Sequence, residues 1–246
     1  MEDMNTEPLI SVVTPIYNQS HLIRNAMMSI VNQTFKEWEM IIVDDGSDAS
    51  NRIDLDRAVK QFADKRIRVI EQNHLGLVVA RNTGNYAARG EYIAIQDADD
   101  LSMPDRLEKC FKVLEKGHDV VAHGAYINMW DGDKQCVSRM YLPPIAKDCF
   151  NVKASLKKGQ PITGWPVFKK TLWERLPFRM ETQYAYDWAM WVDWIYSGAS
   201  FMSIPEGLYE YVRQSDSASI RFEREGKRAE SAAKIQQIIK DYESKS

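Results

Sequence analysis

The first 125 residues alternate short apolar runs with longer segments in which apolar residues recur at helical spacing. The run 40–43 is continuously apolar, which is typical of a strand buried on both faces of a sheet. After the first run, Leu22, Ile23, Ala26 and Met27 share one helical face. This alternation predicts an α/β fold, with a mostly parallel sheet and helices on both faces. The predicted strands are 10–13, 40–43, 67–70, 92–95 and 120–122.

A helix start is predicted shortly after the fourth of these strands. Ser102 with Asp105 three residues later resembles an N-terminal cap, Pro104 falls in the first turn, and Gly117 marks the end. If Ser102 supplies the cap, the acidic residues at 97–100 are left without that structural role.

The alternation of short apolar runs and helical segments changes after residue 125. The runs 126–129 and 135–141 flank a Trp-Asp-Gly-Asp turn, which predicts an antiparallel hairpin and therefore a mixed sheet. Further on, Trp188, Trp191, Val192 and Ile195 lie on one helical face. We divide the chain into residues 1–125, 126–222 and a charged helical tail, 223–246. The tail carries a narrow apolar stripe that predicts a packed helix, and a membrane-surface or subunit contact stays open.

Composition narrows the function classes. The 246 residues include 32 basic and 35 acidic side chains, which gives a formal charge of −3. This balance excludes a general nucleic-acid or membrane-coating surface, because such surfaces need a basic excess. Three widely spaced cysteines, no secretory signal and no membrane-length apolar run predict a cytoplasmic protein. Peripheral contact with the inner face of the membrane and the oligomeric state stay open.

Polar residues follow three of the predicted strands. The first strand continues into Thr-Pro-Ile-Tyr-Asn at 14–18, the second into Asp-Asp-Gly-Ser at 44–47, and the fourth into Asp-Ala-Asp-Asp at 97–100. Parallel strands would bring these segments to one edge, where ligands bind in open α/β sheets. Five carboxylates on one edge repel one another unless a cation or hydrogen-bond donors offset them. An Asp-x-Asp pair at a strand end suits a hard divalent cation such as Mg²⁺ or Mn²⁺.

Two long segments resemble the family-2 glycosyltransferases, which have the GT-A (nucleotide-diphospho-sugar transferase) fold. They are ISVVTPIYNQSHLIRNAMMSIVNQTFKEWEMIIVDDGS at 10–47 and GLVVARNTGNYAARGEYIAIQDADDLSMPDRLE at 76–108. The resemblance implies an inverting transferase that moves a sugar from a nucleotide-sugar donor, most simply a UDP-sugar, to an acceptor hydroxyl. It also implies a glycan or lipid-linked glycan as the acceptor, as in polysaccharide biosynthesis.

The same resemblance implies roles for residues at the strand ends. Pro15, Tyr17 and Asp45 match positions that hold the nucleobase and ribose, and Asp45 would accept a hydrogen bond from a base N–H. Arg81 matches a position near the nucleotide.

For the fourth strand end, the resemblance implies that Asp97 contacts the ribose and that Asp100 borders the donor sugar. Asp99 would bind a metal, Mn²⁺ or Mg²⁺, that bridges the diphosphate. A late Tyr-Val-Arg-Gln segment suggests that Arg213 closes over the diphosphate, since a guanidinium suits phosphate oxygens.

The family places its catalytic base in a Glu-Asp pair at the start of a helix in the second half of the chain. Here Asp187 matches the Asp, whereas Tyr186 replaces the Glu. Asp187 is therefore the predicted general base, although an acid at a helix start also fits a purely structural role. Trp165 is a candidate to stack on an acceptor sugar or to be part of the core.

Two alternatives stay open. A nucleotidyltransferase also sets acids and a metal on a nucleotide-binding sheet, but it would need a Gly-rich loop after the first strand, and residues 14–20 contain no glycine. A nucleotide-sugar-binding protein without catalysis would keep Asp45 and Asp99 and lack the base. A P-loop enzyme is excluded by the absence of its signature.

Overall fold

The computed structural model describes residues 7–131, 135–142, 157, 165–182, 184–213 and 227–245. In these ranges the chain forms nine strands and seven α-helices, with one short 3₁₀ turn at Met180–Thr182. The strands are β1 Ile10–Ile16, β2 Trp38–Asp44, β3 Ile67–Glu71, β4 Tyr92–Ile95, β5 Leu101–Ser102, β6 Val120–Asp131, β7 Gln135–Leu142, β8 Val167–Lys169 and β9 Phe201–Arg213. The helices are α1 Ile23–Val31, α2 Ala49–Phe62, α3 Leu77–Ala87, α4 Arg106–Leu114, α5 Lys170–Arg175, α6 Tyr186–Tyr196 and α7 Lys227–Glu243.

The sheet is mixed, as predicted. Its order is β3-β2-β1-β4-β8-β6-β9-β5, with β7 paired to β6. β3, β2, β1 and β4 are mutually parallel, whereas β8 is antiparallel to both β4 and β6. β6 and β7 form the predicted antiparallel hairpin. The parallel half therefore carries the three polar strand ends at one edge.

Both faces of β2 are covered, which explains why its run 40–43 is continuously apolar. On β2, Ile41 and Val43 point into a core formed with α3, α6 and α7, while Met40 and Ile42 point into a second core formed with α1, α2 and α4. The tail helix α7 belongs to the first core through Ile235, which is fully buried. The apolar stripe of the tail is thus a packing face.

A buried carboxylate ties together the amino ends of β1, β2 and β3. Glu39 is 1% exposed and accepts hydrogen bonds from the Ser11 hydroxyl at 2.8 Å, the Arg89 backbone N–H at 2.8 Å and the Arg68 Nε at 3.1 Å. Burial would raise the pKa of Glu39, but these donors together hold it below its ordinary value. Since the carboxylate loses its proton more readily in the folded chain, its contribution to stability is present above about pH 4.5 and is lost as the pH falls.

We expect Glu39→Gln to lower the free energy of unfolding by about 2–3 kcal/mol, the range for a lost hydrogen-bonded charge. Urea unfolding at pH 7 measures this loss, and the difference between wild type and variant should shrink on acidification below pH 4.5. Glu71→Gln, at an exposed position on β3, is the control. Equal stability of Glu39→Gln and wild type would show that the network contributes nothing.

Candidate functional site

The polar ends of β2 and β4 lie at the same edge of the sheet, on either side of β1. Ile16 of β1 is in register with Asp44 of β2, and Val13 of β1 is in register with Ile95 of β4. Strands lie about 4.8 Å apart, so the ends of β2 and β4 are separated sideways by roughly 10 Å, and β2 ends three residues further along β1 than β4 does. Pro15 is buried within β1, between these two ends, and Tyr17 follows the strand directly.

Asp45 organises the loop that leads into α3. Its Oδ1 accepts from the Gln72 side chain at 2.7 Å and from the Leu75 N–H at 2.9 Å, and its Oδ2 accepts from the Gly76 N–H at 2.9 Å. Gly76 is the residue before α3 and has a φ of 95°, a value that L-residues rarely adopt. The carboxylate therefore fixes a sharp turn as well as facing the sheet edge.

An aromatic pair covers Asp45. The rings of Tyr17 and His74 are stacked with their centroids 4.0 Å apart and an interplanar angle of 20°. His74 Nδ1 lies 3.0 Å from the Asp45 backbone oxygen and 2.9 Å from its Oδ2. The sequence pattern does not indicate this contact of His74, because only the fold brings its ring to Tyr17.

Asp97 is held by a buried cation and by an indole. The Arg81 guanidinium, 1% exposed, forms an ion pair with Asp97 Oδ1, and Trp165 Nε1 donates to Oδ2 at 2.7 Å. The Arg81 guanidinium carbon lies 4.0 Å from the Trp165 ring centroid and 4.8 Å from that of Tyr186. Trp165 is therefore a site residue that fixes Asp97.

The Asp97–Asp100 segment is pinned to β9. The Tyr209 hydroxyl accepts from the Asp97 backbone N–H at 3.0 Å, and the Val212 N–H donates to Asp100 Oδ1 at 2.8 Å. Asp100 is fully buried and its Oδ2 has no hydrogen-bond partner. Burial, reinforced by the neighbouring acids, raises the pKa of Asp100 well above its ordinary value. Asp100 is therefore held by β9 through one carboxylate oxygen, while the other is buried without a partner.

The third acid of this segment, Asp99, has a raised pKa. Burial, together with the charge of Asp97, raises the pKa of Asp99 to about 6. Among the residues that the structure describes, no group of three or more His, Cys, Asp and Glu side chains is arranged to hold a metal ion. Mg²⁺ and Mn²⁺ are commonly held by one or two carboxylates plus substrate phosphates, so this donor set fits such an ion in the presence of a diphosphate. A cation would also relieve the repulsion between Asp97 and Asp99.

A second buried arginine, Arg106, hydrogen-bonds residues on either side of the Asp97–Asp100 segment. Arg106 Nη2 donates to the backbone oxygens of Ile95 at 3.0 Å and Trp165 at 2.9 Å, and Nη1 donates to the Ser102 hydroxyl at 2.9 Å. Ser102 belongs to β5, so the prediction that it caps α4 was wrong: the cap position is Asp105, without a side-chain cap bond. A hydroxyl buried beside a guanidinium is satisfied better there than at a helix end.

Asp187 lies in the first turn of α6, after the cap residue Ala185. Burial would lower the pKa of Arg81, but the carboxylate of Asp97 and, to a smaller extent, that of Asp187 raise it. The Asp187 Oδ1 lies 2.9 Å from the Trp188 backbone nitrogen, consistent with the favourable position of an acid at a helix N-terminus. Arg81 pairs with Asp97 and lies over the ring of Tyr186, and so links the end of β4 to the start of α6.

Two further polar side chains on α3 and α6 have structural roles. Asn82 bonds Trp173 Nε1 at 3.0 Å and the backbone oxygen of Phe178 at 2.9 Å. Asp193 accepts from Arg179 at 2.7 and 2.9 Å and from the Tyr242 hydroxyl at 2.8 Å, which ties α6 to α7. Neither group is available as a base. 

Arg213 is the last residue of β9, and its predicted phosphate contact stays a prediction. Residues 214–226 after it and residues 158–164 before Trp165 lie outside the described residues.

Comparisons with known proteins agree with this arrangement. Residues 11–176 match the family described as glycosyl transferase family 2. A glycosyltransferase of Methanocaldococcus jannaschii is 30% identical over 209 residues, which cover 83% of this chain and 71% of that protein. Glycosyltransferase EpsJ of Bacillus subtilis is 38% identical over 56% of this chain and 38% of its own length, so the chain spans well under half of that relative.

Solved structures share the fold. The mannosyltransferase PcManGT of Pyrobaculum calidifontis, in complex with GDP-Man and Mn²⁺, has a TM-score of 0.69 at 21% identity, over 93% of this chain and 64% of that one. Residues 1–349 of Staphylococcus aureus TarS, in complex with UDP-GlcNAc, have a TM-score of 0.66 at 18% identity, over 86% and 60%. The fold is therefore GT-A. The chain belongs to glycosyl transferase family 2, which places it in the glycosyltransferase class of enzymes.

Proposed function

We propose that this chain is an inverting glycosyltransferase that moves a sugar from a nucleotide-sugar, most simply a UDP-sugar, to a hydroxyl of a glycan or lipid-linked glycan. The observation that carries the proposal is the Arg81 guanidinium, which pairs with Asp97 at the end of β4 and lies 4.8 Å from the ring centroid of Tyr186, the residue before Asp187 at the start of α6. This would bring a donor-binding edge and a candidate base into one site.

The donor would lie along the sheet edge. The nucleobase would stack near Tyr17 and donate an N–H to Asp45, with Pro15 beneath it, and the ribose would reach Asp97. Asp100 would border the donor sugar from its buried position, and Arg213 would close over the diphosphate. The nucleotide-sugars bound by TarS and PcManGT support a donor of this chemical class.

Asp187 would act on the acceptor. A sugar hydroxyl is a poor nucleophile. The Asp187 carboxylate would therefore take the proton of the acceptor hydroxyl while the hydroxyl oxygen attacks the anomeric carbon. The bond from that carbon to the diphosphate breaks, and its electron pair leaves with the diphosphate. Attack from the side opposite the leaving group inverts the anomeric centre. Arg81 would fix the relative positions of the two halves through its contacts with Asp97 and with the ring of Tyr186.

Asp99 is the residue we assign to a divalent cation, Mn²⁺ or Mg²⁺. When bound, such an ion stabilises the charge that develops on the diphosphate. The presence of Mn²⁺ in the PcManGT complex supports this assignment.

Among the described residues no helix has the length and apolar character needed to cross a membrane. The acceptor would therefore reach the site from solution or from a membrane surface. Surface contact through α7 would have to use the exposed side of that helix, since Ile235 and Ile239 are buried.

The test is a donor screen by thermal shift with Mn²⁺, using UDP-, GDP- and dTDP-sugars, because a bound ligand raises the apparent stability. The donor that binds is then incubated with acceptor glycans, and the products are analysed. Release of a nucleoside diphosphate supports the proposal, whereas release of pyrophosphate would indicate a nucleotidyltransferase. Donor binding with neither transfer nor hydrolysis would indicate a binding protein without catalysis.

A further inference from the structure

The Asp45 carboxylate has little capacity left for a ligand. A carboxylate offers about four lone-pair positions. Gln72 and Leu75 fill the two at Oδ1, and Gly76 fills one at Oδ2. His74 Nδ1, 2.9 Å from Oδ2, blocks the fourth. A nucleobase N–H can reach this carboxylate only if one of these groups leaves.

The contacts of His74 resemble those expected of a nucleobase. Its Nδ1 faces two oxygens of Asp45, the backbone oxygen at 3.0 Å and Oδ2 at 2.9 Å, so this nitrogen must carry a hydrogen. Its ring is stacked on Tyr17 at 4.0 Å. One flat ring thus stacks on the aromatic side chain and directs an N–H at the carboxylate.

We propose that the His74 imidazole occupies the nucleobase position in the donor-free protein and is displaced when the base of the donor binds. This inference rests on the proposed function and adds to it a residue that sets donor affinity. This contact lowers the apparent affinity for the donor, because only the molecules with His74 turned away can accept the base.

His74 is the group best able to leave. Two of the other donors are backbone N–H groups, and Gln72 is partly buried, whereas the His74 side chain is 54% exposed. The main chain at His74 is fixed by Gly46, whose φ is 76° and where an added Cβ would lie only 2.6 Å from the His74 nitrogen. Displacement is therefore a rotation of the side chain, and the loop that holds Asp45 stays in place.

Calorimetry with UDP and Mg²⁺ tests the proposal on the full chain. We expect His74→Ala to bind UDP about tenfold more tightly than wild type, the gain if roughly a tenth of the molecules have the open position. Uridine should show the same gain, whereas inorganic pyrophosphate should bind both proteins equally, since it does not reach the base position. His118→Ala, in the turn before β6, is the control and should leave all three affinities unchanged.

Nuclear magnetic resonance gives a readout that does not depend on affinity. The His74 ring protons should show the ring-current shift of Tyr17 in the free protein and lose it when UDP with Mg²⁺ is added. Unchanged or weaker UDP binding by His74→Ala would overturn this inference alone, as would a His74 ring that keeps its shift at saturation. Failure of wild type and variant to bind UDP, GDP and dTDP would overturn the proposed function and this inference together.

Discussion

Replacement of Asp187 by Asn should lower turnover at least about a hundredfold while leaving donor affinity close to that of wild type. General-base help contributes roughly 10²–10⁴ in rate, and an amide cannot take the proton of the acceptor hydroxyl. The variant keeps the size of the side chain in the first turn of α6. Because the acid interacts there with the helix N-terminus, we also expect a loss of about 0.3–1 kcal/mol in stability, too small to explain the loss of rate.

The measurement is single-turnover transfer with saturating donor, together with calorimetric donor binding and thermal unfolding of the same preparation. Glu230→Gln removes the same charge from the first turn of α7 and should change neither rate nor donor affinity. Unchanged turnover of Asp187→Asn would move the base elsewhere. A parallel loss of donor affinity would instead assign Asp187 to donor binding.

The parallel half of the fold was predictable because its local patterns and its tertiary environment agree. The run 40–43 is apolar at every position since β2 contacts a core on each face, and the predicted strand lies within Trp38–Asp44. The hairpin of β6 and β7 was also predicted, from its turn residues. Their place next to β8 and β9 was not predicted, since no local pattern encodes which strands become neighbours.

Polar residues were harder to assign than apolar ones. Ser102 has the spacing of a cap, yet the structure buries it beside Arg106, a contact that depends on the fold of β5 and α4. Trp165 could not be told from a core residue, because its bond to Asp97 joins positions 68 residues apart. The assembly of Arg81, Asp97 and Tyr186 likewise needs α3 and α6 to meet.

The contacts of His74 could not be predicted from the sequence either. Its sequence neighbours Gln72, Leu75 and Gly76 all donate to Asp45, so the segment is a tight loop around one carboxylate. Nothing in the local pattern distinguishes this from an ordinary turn. The strand-end acids could be predicted as a group because parallel strands share an edge, whereas the individual partners of each acid required coordinates.

Replacement of Asp99 by Asn should abolish the part of donor affinity that depends on a divalent cation. Among the acids at this edge, Asp97 is held by Arg81 and Trp165, and Asp100 is buried against β9. Burial and the charge of Asp97 raise the pKa of Asp99 to about 6. A cation would favour its charged form, and an amide is a weaker ligand for Mg²⁺ or Mn²⁺.

Titration of UDP with Mn²⁺ and, separately, with a chelator measures the effect. For wild type we expect the metal to tighten UDP binding by at least about tenfold, equivalent to 1.4 kcal/mol, and for Asp99→Asn we expect the two titrations to coincide. Asp56→Asn, an exposed acid on α2, should behave as wild type. If Asp99→Asn kept the full gain from Mn²⁺, the cation would have to be held by other groups. Because Asp97 keeps Arg81 and Trp165 in the variant, the metal-free affinity for UDP should be unchanged, which separates loss of the cation from collapse of the site.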